Sequence, residues 1–552
     1  MAGEESITMR ATGRFTGCRT GPAGLDFATL RMTPRGFLCF LCFLAQFLGS
    51  CSKRPDTSGQ ILRISQRNEP ATLDPQLATL PDEFFIIRAL SEGLVTPSPV
   101  GGTPLPAMAS HWESSADGLT WTFHLSGATW SNGDAVTAQD FVWSIKRALT
   151  PTTAAPKASL FFAIRNAAAF LRGTVADFTQ VGVAAPDDRT LVITLDHPAA
   201  DFLALAASGP WIPVHPATVE KFGRDWARPG HFVGNGHFLL VEWRPQQRVV
   251  VRKNPHHLTS FTTQLAEIQF LAFDNRDSEE RAFRAGQVDV TMDVPVSKLP
   301  TYRSAEPSPL HTVPLHETRY LSLNTTRAPL DNPKVRRALA LALDRTALVE
   351  KVLQGGQRPA FSFIPPGLGG YEPASYFTED VAEARRLLAE AGFPGGKGFP
   401  KLELATWSTS PMLEAVQQMW RSNLGIEIAL AQHEARTHLA ALAAGDYALA
   451  LVPAIPDYDS AGDLFETLQG GALANYPHWR NDAFDRLVQG AGRQRDPTAR
   501  NAAYRQAEKI LLEDMPLIPL YFNAQNFLVA PRVSHWQADR LWTRFYRDVT
   551  VN

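Results

Sequence analysis

Three aspartates, Asp457, Asp459 and Asp463, lie within seven residues in the stretch VPAIPDYDSAGDLFETL, residues 452–468. They follow an apolar run, Tyr447 to Val452, that reads as a buried strand. Carboxylates just past a strand end call for a cation: a metal, a lysine or arginine of the protein, or a charged group on a ligand. A calcium loop of the EF-hand type needs ligands at positions 1, 3 and 5, glycine at 6 and glutamate at 12. Counted from Asp457, positions 1 and 3 are aspartate and Gly462 falls at 6, but Ala461 stands at 5 and Leu468 at 12. Two ligands are lacking, including the bidentate one. A solvated loop, with one aspartate capping a helix that begins at Leu464, also fits the local sequence.

Other chemistry is scarce. GFPGGKGF, around Lys397, has Ala391 where a phosphate-binding loop needs its first glycine, and Gly398 where it needs Ser or Thr. No nucleophile-elbow, zincin or dinucleotide motif occurs in usable context. His256 and His257 are adjacent, and neighbours on a strand point opposite ways, so joint metal binding by this pair is not expected. The cysteines are Cys18, Cys39, Cys42 and Cys51. A main body without thiols excludes a disulfide framework, a cysteine zinc site and a thiol nucleophile there. No catalytic residue, metal or cofactor is expected. The chain reads as a binder, although catalytic carboxylate pairs leave no motif.

The chain has 552 residues, 44% hydrophobic and 20% charged, with a formal net charge of −2. That is a soluble, multi-domain composition, and nothing in it points to nucleic acid. Arg31 and Arg35 precede GFLCFLCFLAQFLGSC, a short apolar core ending in small residues, which reads as a secretory signal over residues 1–50 with Met32 as the expected start. It is shorter than the roughly 20 apolar residues a membrane span needs. LGSC, residues 48–51, resembles a bacterial lipobox, which implies cleavage and lipidation at Cys51. Residues 51–58 read as a polar tether.

Alternation marks strands at ILRISQ (61–66) and LTWTFHL (119–125). EFFIIRALSEGLV reads as a helix closed by Gly93. Asn132-Gly133 is a hairpin-turn signal. Thr137, with Asp140 three residues on, reads as the N-cap of a helix AQDFVWSIKRAL. GHFLLVEWRPQQRVVVRKN reads as two strands around a turn. PKVRRALALALDRTALVEKVL reads as one helix, and TEDVAEARRLLAEAGF as another that Gly392 stops. LELATW and IEIALAQ are strands. DPTARNAAYRQAEKILLEDM is a helix followed by the strand PLIPLYF. Helices and strands alternate, so the fold class is α/β with several sheets.

GLTWTFHLSGATWSNGDAVTAQDFVWSIKRAL (118–149) resembles the signature segment of the extracellular solute-binding proteins of peptide ABC importers, solute-binding protein family 5. So do NGHFLLVEWRPQQRVVVRKNP, LNTTRAPLDNPKVRRALALALDRTAL, DVAEARRLLAEAGF and MWRSNLGIEIAL, in family order. The nearest type is the oligopeptide-binding lipoprotein. The resemblance implies a two-lobed, type II periplasmic-binding-protein fold, a Venus flytrap, with an extra family-specific domain. One lobe would comprise residues 59–95, 216–318 and 522–552, the extra domain 96–215, and the other lobe 319–521. The lobes would close on an extended peptide that pairs like an added strand and present it to a permease and its ATPase. The protein would be a monomeric carrier, not an enzyme, exported to the periplasmic or cell-surface side and held to a membrane through Cys51.

The family's aspartate for the peptide's α-ammonium falls on Asp457, followed by Tyr458 as in the family. Ala454 replaces the motif's tryptophan, beside Ile455 and Pro456. Pro453 stands where a glycine can contact the peptide backbone, Leu451 where an arginine lies near its carboxylate, and Ala435 where a second tryptophan stands. A second family carboxylate, in the opposite lobe, falls on Glu83, with Phe84 and Phe85 beside it. Some relatives bind nickel complexes, sugars or other solutes. A sensory binding protein without a dedicated permease and an exported hydrolase are the other readings.

Overall fold

Strand Leu449–Ala454 follows Tyr447 as the apolar run requires, and its residues divide by parity. Leu449 and Leu451 enter one apolar cluster, and Ala450, Val452 and Ala454 another. Side chains of a strand alternate between faces, so such a run is covered by helices on both sides. The computed structural model describes residues 60–552 except Thr409; the signal segment 1–50, the tether 51–58 and the lipidated Cys51 expected from the sequence lie outside the described residues.

Leu449–Ala454 belongs to a six-stranded sheet. Its order is Arg358–Pro359, Leu517–Leu528, Leu310–Leu323, Leu449–Ala454, Leu402–Thr406, Ile428–Gln432. The last three are parallel, and Leu310–Leu323 runs antiparallel to both its neighbours. Helices Pro333–Leu341, Val381–Glu390 and Pro411–Leu424 cover one face through Leu339, Leu388, Val416 and Trp420. Helices Ala461–Glu466, Asp482–Gly492 and Pro497–Asp514 cover the other through Phe465, Phe484 and Leu511.

A second sheet, Ile61–Gln66, Glu267–Ala272, Arg248–Lys253, Phe238–Arg244, packs under helix Pro81–Leu90 through Leu62, Ile64, Ile268, Phe85 and Ile86. A third, Ala109–Ser114, Thr120–Leu125, Thr190–Thr194, Val183–Asp187, packs under helix Ala138–Leu149 through Phe123, Leu191, Phe141 and Ile145. That helix opens where Thr137 and Asp140 place it: Asp140 accepts the Thr137 amide at 2.9 Å and the Trp130 indole N–H at 3.1 Å.

The fold is two-lobed, and two long strands join the lobes. Leu310–Leu323 and Leu517–Leu528 pair from Leu310↔Leu528 to Ser322↔Leu517, with the register broken between Pro314 and Thr318. Beyond the break on one side, Phe527 enters the core of Ile64 and Phe270; on the other, Leu321 and Ile518 enter that of Leu339 and Trp420.

Four local readings change. The helix read over 333–353 is interrupted after Leu341 and restarts at Arg345, widening into a π turn over Leu348–Leu353. Asp344 caps the restart by accepting the Ala347 amide at 2.8 Å. The fully buried Arg345 guanidinium binds the carbonyls of Ala340 (3.1 Å), Leu343 (3.1 Å) and Pro519 (2.7 Å), which a continuous helix would not leave free. Helix Pro81–Leu90 ends three residues before Gly93, because the Gly236 amide takes the Leu90 carbonyl at 2.9 Å. A Cβ on Gly236 would fall 2.5 Å from the Leu90 carbonyl carbon, so glycine permits this contact. The strand read as PLIPLYF continues to Leu528. The helix after the aspartates begins at Ala461, not Leu464, and Ser460 caps it by accepting the Gly462 amide at 3.0 Å.

Candidate ligand-binding cleft

A cavity of about 970 Å³ lies where the strand Leu449–Ala454 delivers its C-terminal loop. Ile455 to Asp459 form one wall. Phe84 and Arg88 of helix Pro81–Leu90, the turn 97–104, Lys157, the segment 200–210 and residues 538–543 form much of the remainder. That volume fits a small-molecule or short-peptide site.

The three aspartates find three different partners. Asp457 forms an ion pair with Lys157, whose ammonium also stands 5.9 Å from the centre of the Phe84 ring. Asp459 accepts the Gly369 amide at 2.8 Å and lies 3.4 Å from that of Gly102. Asp463 accepts the Asp457 amide at 2.6 Å; burial, then the Asp457 charge, push its carboxyl well above the usual carboxylate range. The cation facing Asp457 is thus a lysine of the protein, on the far wall of the cleft.

His316 also lines the cavity, beside the register break. It is 7% exposed, and neither ring nitrogen has a hydrogen-bond partner among the described residues. Burial pushes its imidazole down to about 4, against the opposing pull of Asp459 3.9 Å away, so it is neutral at pH 7. A neutral imidazole offers a ligand one donor and one acceptor. Arg88 gives its guanidinium to the Ala207 carbonyl at 3.0 Å, and burial lowers it to about 10.

Contacts bridge the walls. Ser460 donates to Asp201, and Arg500 lies 3.6 Å from the same carboxylate. Arg495 donates to the Ala116 carbonyl at 2.6 Å. Tyr458 packs against the apolar cluster that contains Phe161, Phe202 and Trp211.

Of the residues singled out from the sequence, Phe84, Ile455, Asp457 and Tyr458 line the cavity. Three do not. Glu83 is buried, and its carboxylate accepts the amides of Ala71 (3.0 Å), Thr79 (2.8 Å) and Leu80 (3.0 Å), so it holds the start of its helix. Phe85 turns into the core, with the Arg544 guanidinium 4.1 Å from its ring centre. Ala454 pairs with Thr318 inside the sheet and packs with Phe465. Lys157, His316 and Arg540 are cleft residues that sequence reasoning missed. Lys157 sits in TAAPKASL, a loop without motif or periodicity, and reaches Asp457 across 300 positions of sequence.

The model of the bacterial extracellular solute-binding proteins, family 5 (middle) matches residues 103–475. The chain is 35% identical to the probable deoxycholate-binding periplasmic protein YgiS of Escherichia coli over 86% of its length and 90% of the relative's. It is 34% identical to the E. coli periplasmic murein peptide-binding protein MppA, over 86% of this chain and 91% of that one. A solved MppA structure superposes with a TM-score of 0.82 at 32% identity, covering 89% of this chain and 98% of that one. The unliganded open form of MppA gives 0.71 at the same identity, covering 89% and 97%. Haemophilus influenzae OppA in complex with RPPGFSPFR gives 0.81 at 29% identity, covering 89% and 99%. The lobe arrangement here is therefore farther from the open form than from the other two.

Proposed function

Because the chain belongs to family 5 of the bacterial extracellular solute-binding proteins, we propose that it captures peptides outside the cytoplasm and delivers them to the permease of an ABC importer. The observation that carries this reading is a cavity of about 970 Å³ between facing walls, with the Asp457 carboxylate on one wall and its ion-pair partner Lys157 on the other. Asp457 anchors the α-ammonium of the peptide, and Lys157 is the cation it displaces. Phe84, Ile455 and Tyr458 supply apolar surface, and neutral His316 a polar contact. Capture and release involve no covalent step, so the protein acts as a carrier and not as an enzyme.

Residues 59–95, 216–318 and 522–552 make one lobe, 96–215 the extra domain and 319–521 the other lobe. The apolar clusters support this division except at its edges, where Leu94 and Val95 join the core of the extra domain and Ile212 and Val214 that of the neighbouring lobe. The carrier works as a monomer, held to the membrane by lipid on Cys51. Changing Cys51→Ser is expected to move the protein from the membrane to the soluble fraction; equal partition of both forms would remove the anchor.

Mass spectrometry of ligand co-purified under native conditions tests the main reading. Intact peptides are expected, and new termini after incubation with a peptide mixture would favour a hydrolase. One observation favours a second reading: Lys157 already neutralises Asp457, so a solute without an amine can occupy the cleft. The name of the deoxycholate-binding relative describes a ligand of that kind. Calorimetry with a tripeptide mixture and with deoxycholate separates the two, since only one is expected to give saturable heat.

A further inference from the structure

Outside the cleft, the loop after helix Pro81–Leu90, the start of strand Phe238–Arg244 and the turn 254–260 converge on one point. They bring together Glu92, His237 and His257. His257 thus meets His237 rather than its sequence neighbour His256. We propose that Glu92, His237 and His257 form a binding site for a divalent transition-metal ion of the zinc type.

The donors lie within reach of a common ion, but the His237 and His257 rings pack with centroids 3.8 Å apart, so they must splay for both Nε2 atoms to face a metal. Glu92 Oε1 lies 3.5 Å from His237 Nε2, and Glu92 Oε2 lies 3.2 Å from His257 Nε2. The three donor atoms all fall within 4.8 Å of one another. Around a tetrahedral zinc with bonds of about 2.0–2.1 Å, donors stand about 3.3 Å apart. Two imidazoles and one carboxylate suit zinc, copper or nickel and not magnesium or calcium, which prefer oxygen.

Neighbouring groups contact the ring nitrogens that would face away from a metal, Thr263 Oγ1 and Thr259 Oγ1 as acceptors and the Thr259 amide as an opposing donor. Thr263 Oγ1 stands 2.9 Å from His237 Nδ1. The amide and hydroxyl of Thr259 stand 3.2 and 3.3 Å from His257 Nδ1. The Asn235 side chain brackets Glu92, accepting its amide at 2.9 Å and donating to its carbonyl at 3.0 Å. Both imidazoles face the Glu92 carboxylate. In the metal-free form those imidazoles donate Nε2–H to Glu92. On metal entry each ring hydrogen moves to Nδ1, where Thr263 Oγ1 and Thr259 Oγ1 accept it. The Thr259 amide must then turn aside, which makes His257 the weaker ligand.

A small cavity of about 100 Å³, lined by Glu92 and His237, leaves room for a fourth ligand. Arg88, Arg544 and Arg547 line it too, and Arg547 is paired with Asp548 at 3.1 Å. These charges weaken binding of a bare dication and favour an anion in the fourth position. A bound metal would clamp the turn 254–260 and the exposed Leu258 and Phe261 beside it to the body of the lobe.

The test uses the mature chain with any histidine tag removed. After dialysis against zinc and then metal-free buffer, elemental analysis should find one zinc per chain, and cobalt should give the visible bands of a tetrahedral site. His237→Asn and Glu92→Gln should each weaken zinc binding by about tenfold or more, with magnesium inert throughout. Should a variant fail to fold, zinc-dependent protection of residues 254–263 from hydrogen exchange in the wild type decides. Absence of stoichiometric zinc, affinity unchanged in folded variants, or no such protection would reduce the cluster to a hydrogen-bonded triad and overturn the proposal.

Discussion

The Asp457 carboxylate faces the Lys157 ammonium across the cleft, so a ligand amine has to compete for it. A charge-assisted hydrogen bond of this kind is worth roughly 1.5–3 kcal/mol, and each 1.4 kcal/mol is about tenfold in affinity. Asp457→Asn is therefore expected to weaken binding of an amine-bearing peptide by about 10- to 100-fold. Lys157→Met should have the opposite sign and tighten it, because the competitor is gone. Calorimetry on both variants checks the pair; weaker binding in Lys157→Met would make the lysine a ligand contact in its own right. N-acetylated peptide should lose affinity for the wild type and little more for Asp457→Asn. Glu83 behaves differently. Its carboxylate serves three backbone amides of the chain itself, so Glu83→Gln is expected to cost about 1–3 kcal/mol of stability with peptide affinity intact. Denaturant melts and calorimetry together separate those effects.

Elements are tied together by buried groups distant in sequence. Glu508, on helix Pro497–Asp514, is fully buried and accepts the amides of Phe363 (2.8 Å) and Ile364 (2.9 Å) and the Tyr371 hydroxyl (2.7 Å). Burial pushes its carboxyl up to about 7, although those hydrogen bonds pull the other way. A folded-state value above the unfolded one means that the native form holds its proton more tightly. The stability this confers is complete below about pH 4.5 and is lost as pH rises through 7. The wild type should therefore lose about 2–3 kcal/mol relative to Glu508→Gln between pH 5 and pH 8. Urea midpoints at the two values check this, and a constant difference would mean that the carboxyl titrates normally. The interrupted helix at Ala342 to Asp344 has the same kind of origin. Its apolar periodicity is continuous, and what breaks it is the Arg345 guanidinium reaching Pro519, a contact 174 positions away.

At the scale of the whole molecule, the lobes are joined by two strands whose register breaks near His316 and bridged across the cleft by Lys157–Asp457 and Ser460–Asp201. A ligand that binds the closed form better shifts the population toward it by that difference in affinity. Small-angle scattering should give a smaller radius of gyration with saturating peptide. Free Lys157→Met should be more expanded than the free wild type, since one bridge is lost. Identical profiles in all states would count against hinge closure. The sequence by itself determined the α/β class, most of the strands and helices, the two-lobed family fold and the position of Asp457. The class and the elements follow from periodicity and capping residues, and the two-lobed fold and the choice of Asp457 as a candidate from the resemblance of motif blocks to the family, all of them local along the chain. Only the tertiary structure decided which residues face the cleft. Glu83, Phe85 and Ala454 turn inward, while Lys157 and His316 reach the cavity and His257 meets His237. A side chain's partner is fixed by how elements pack, and packing brings together residues whose separation along the chain carries no pattern.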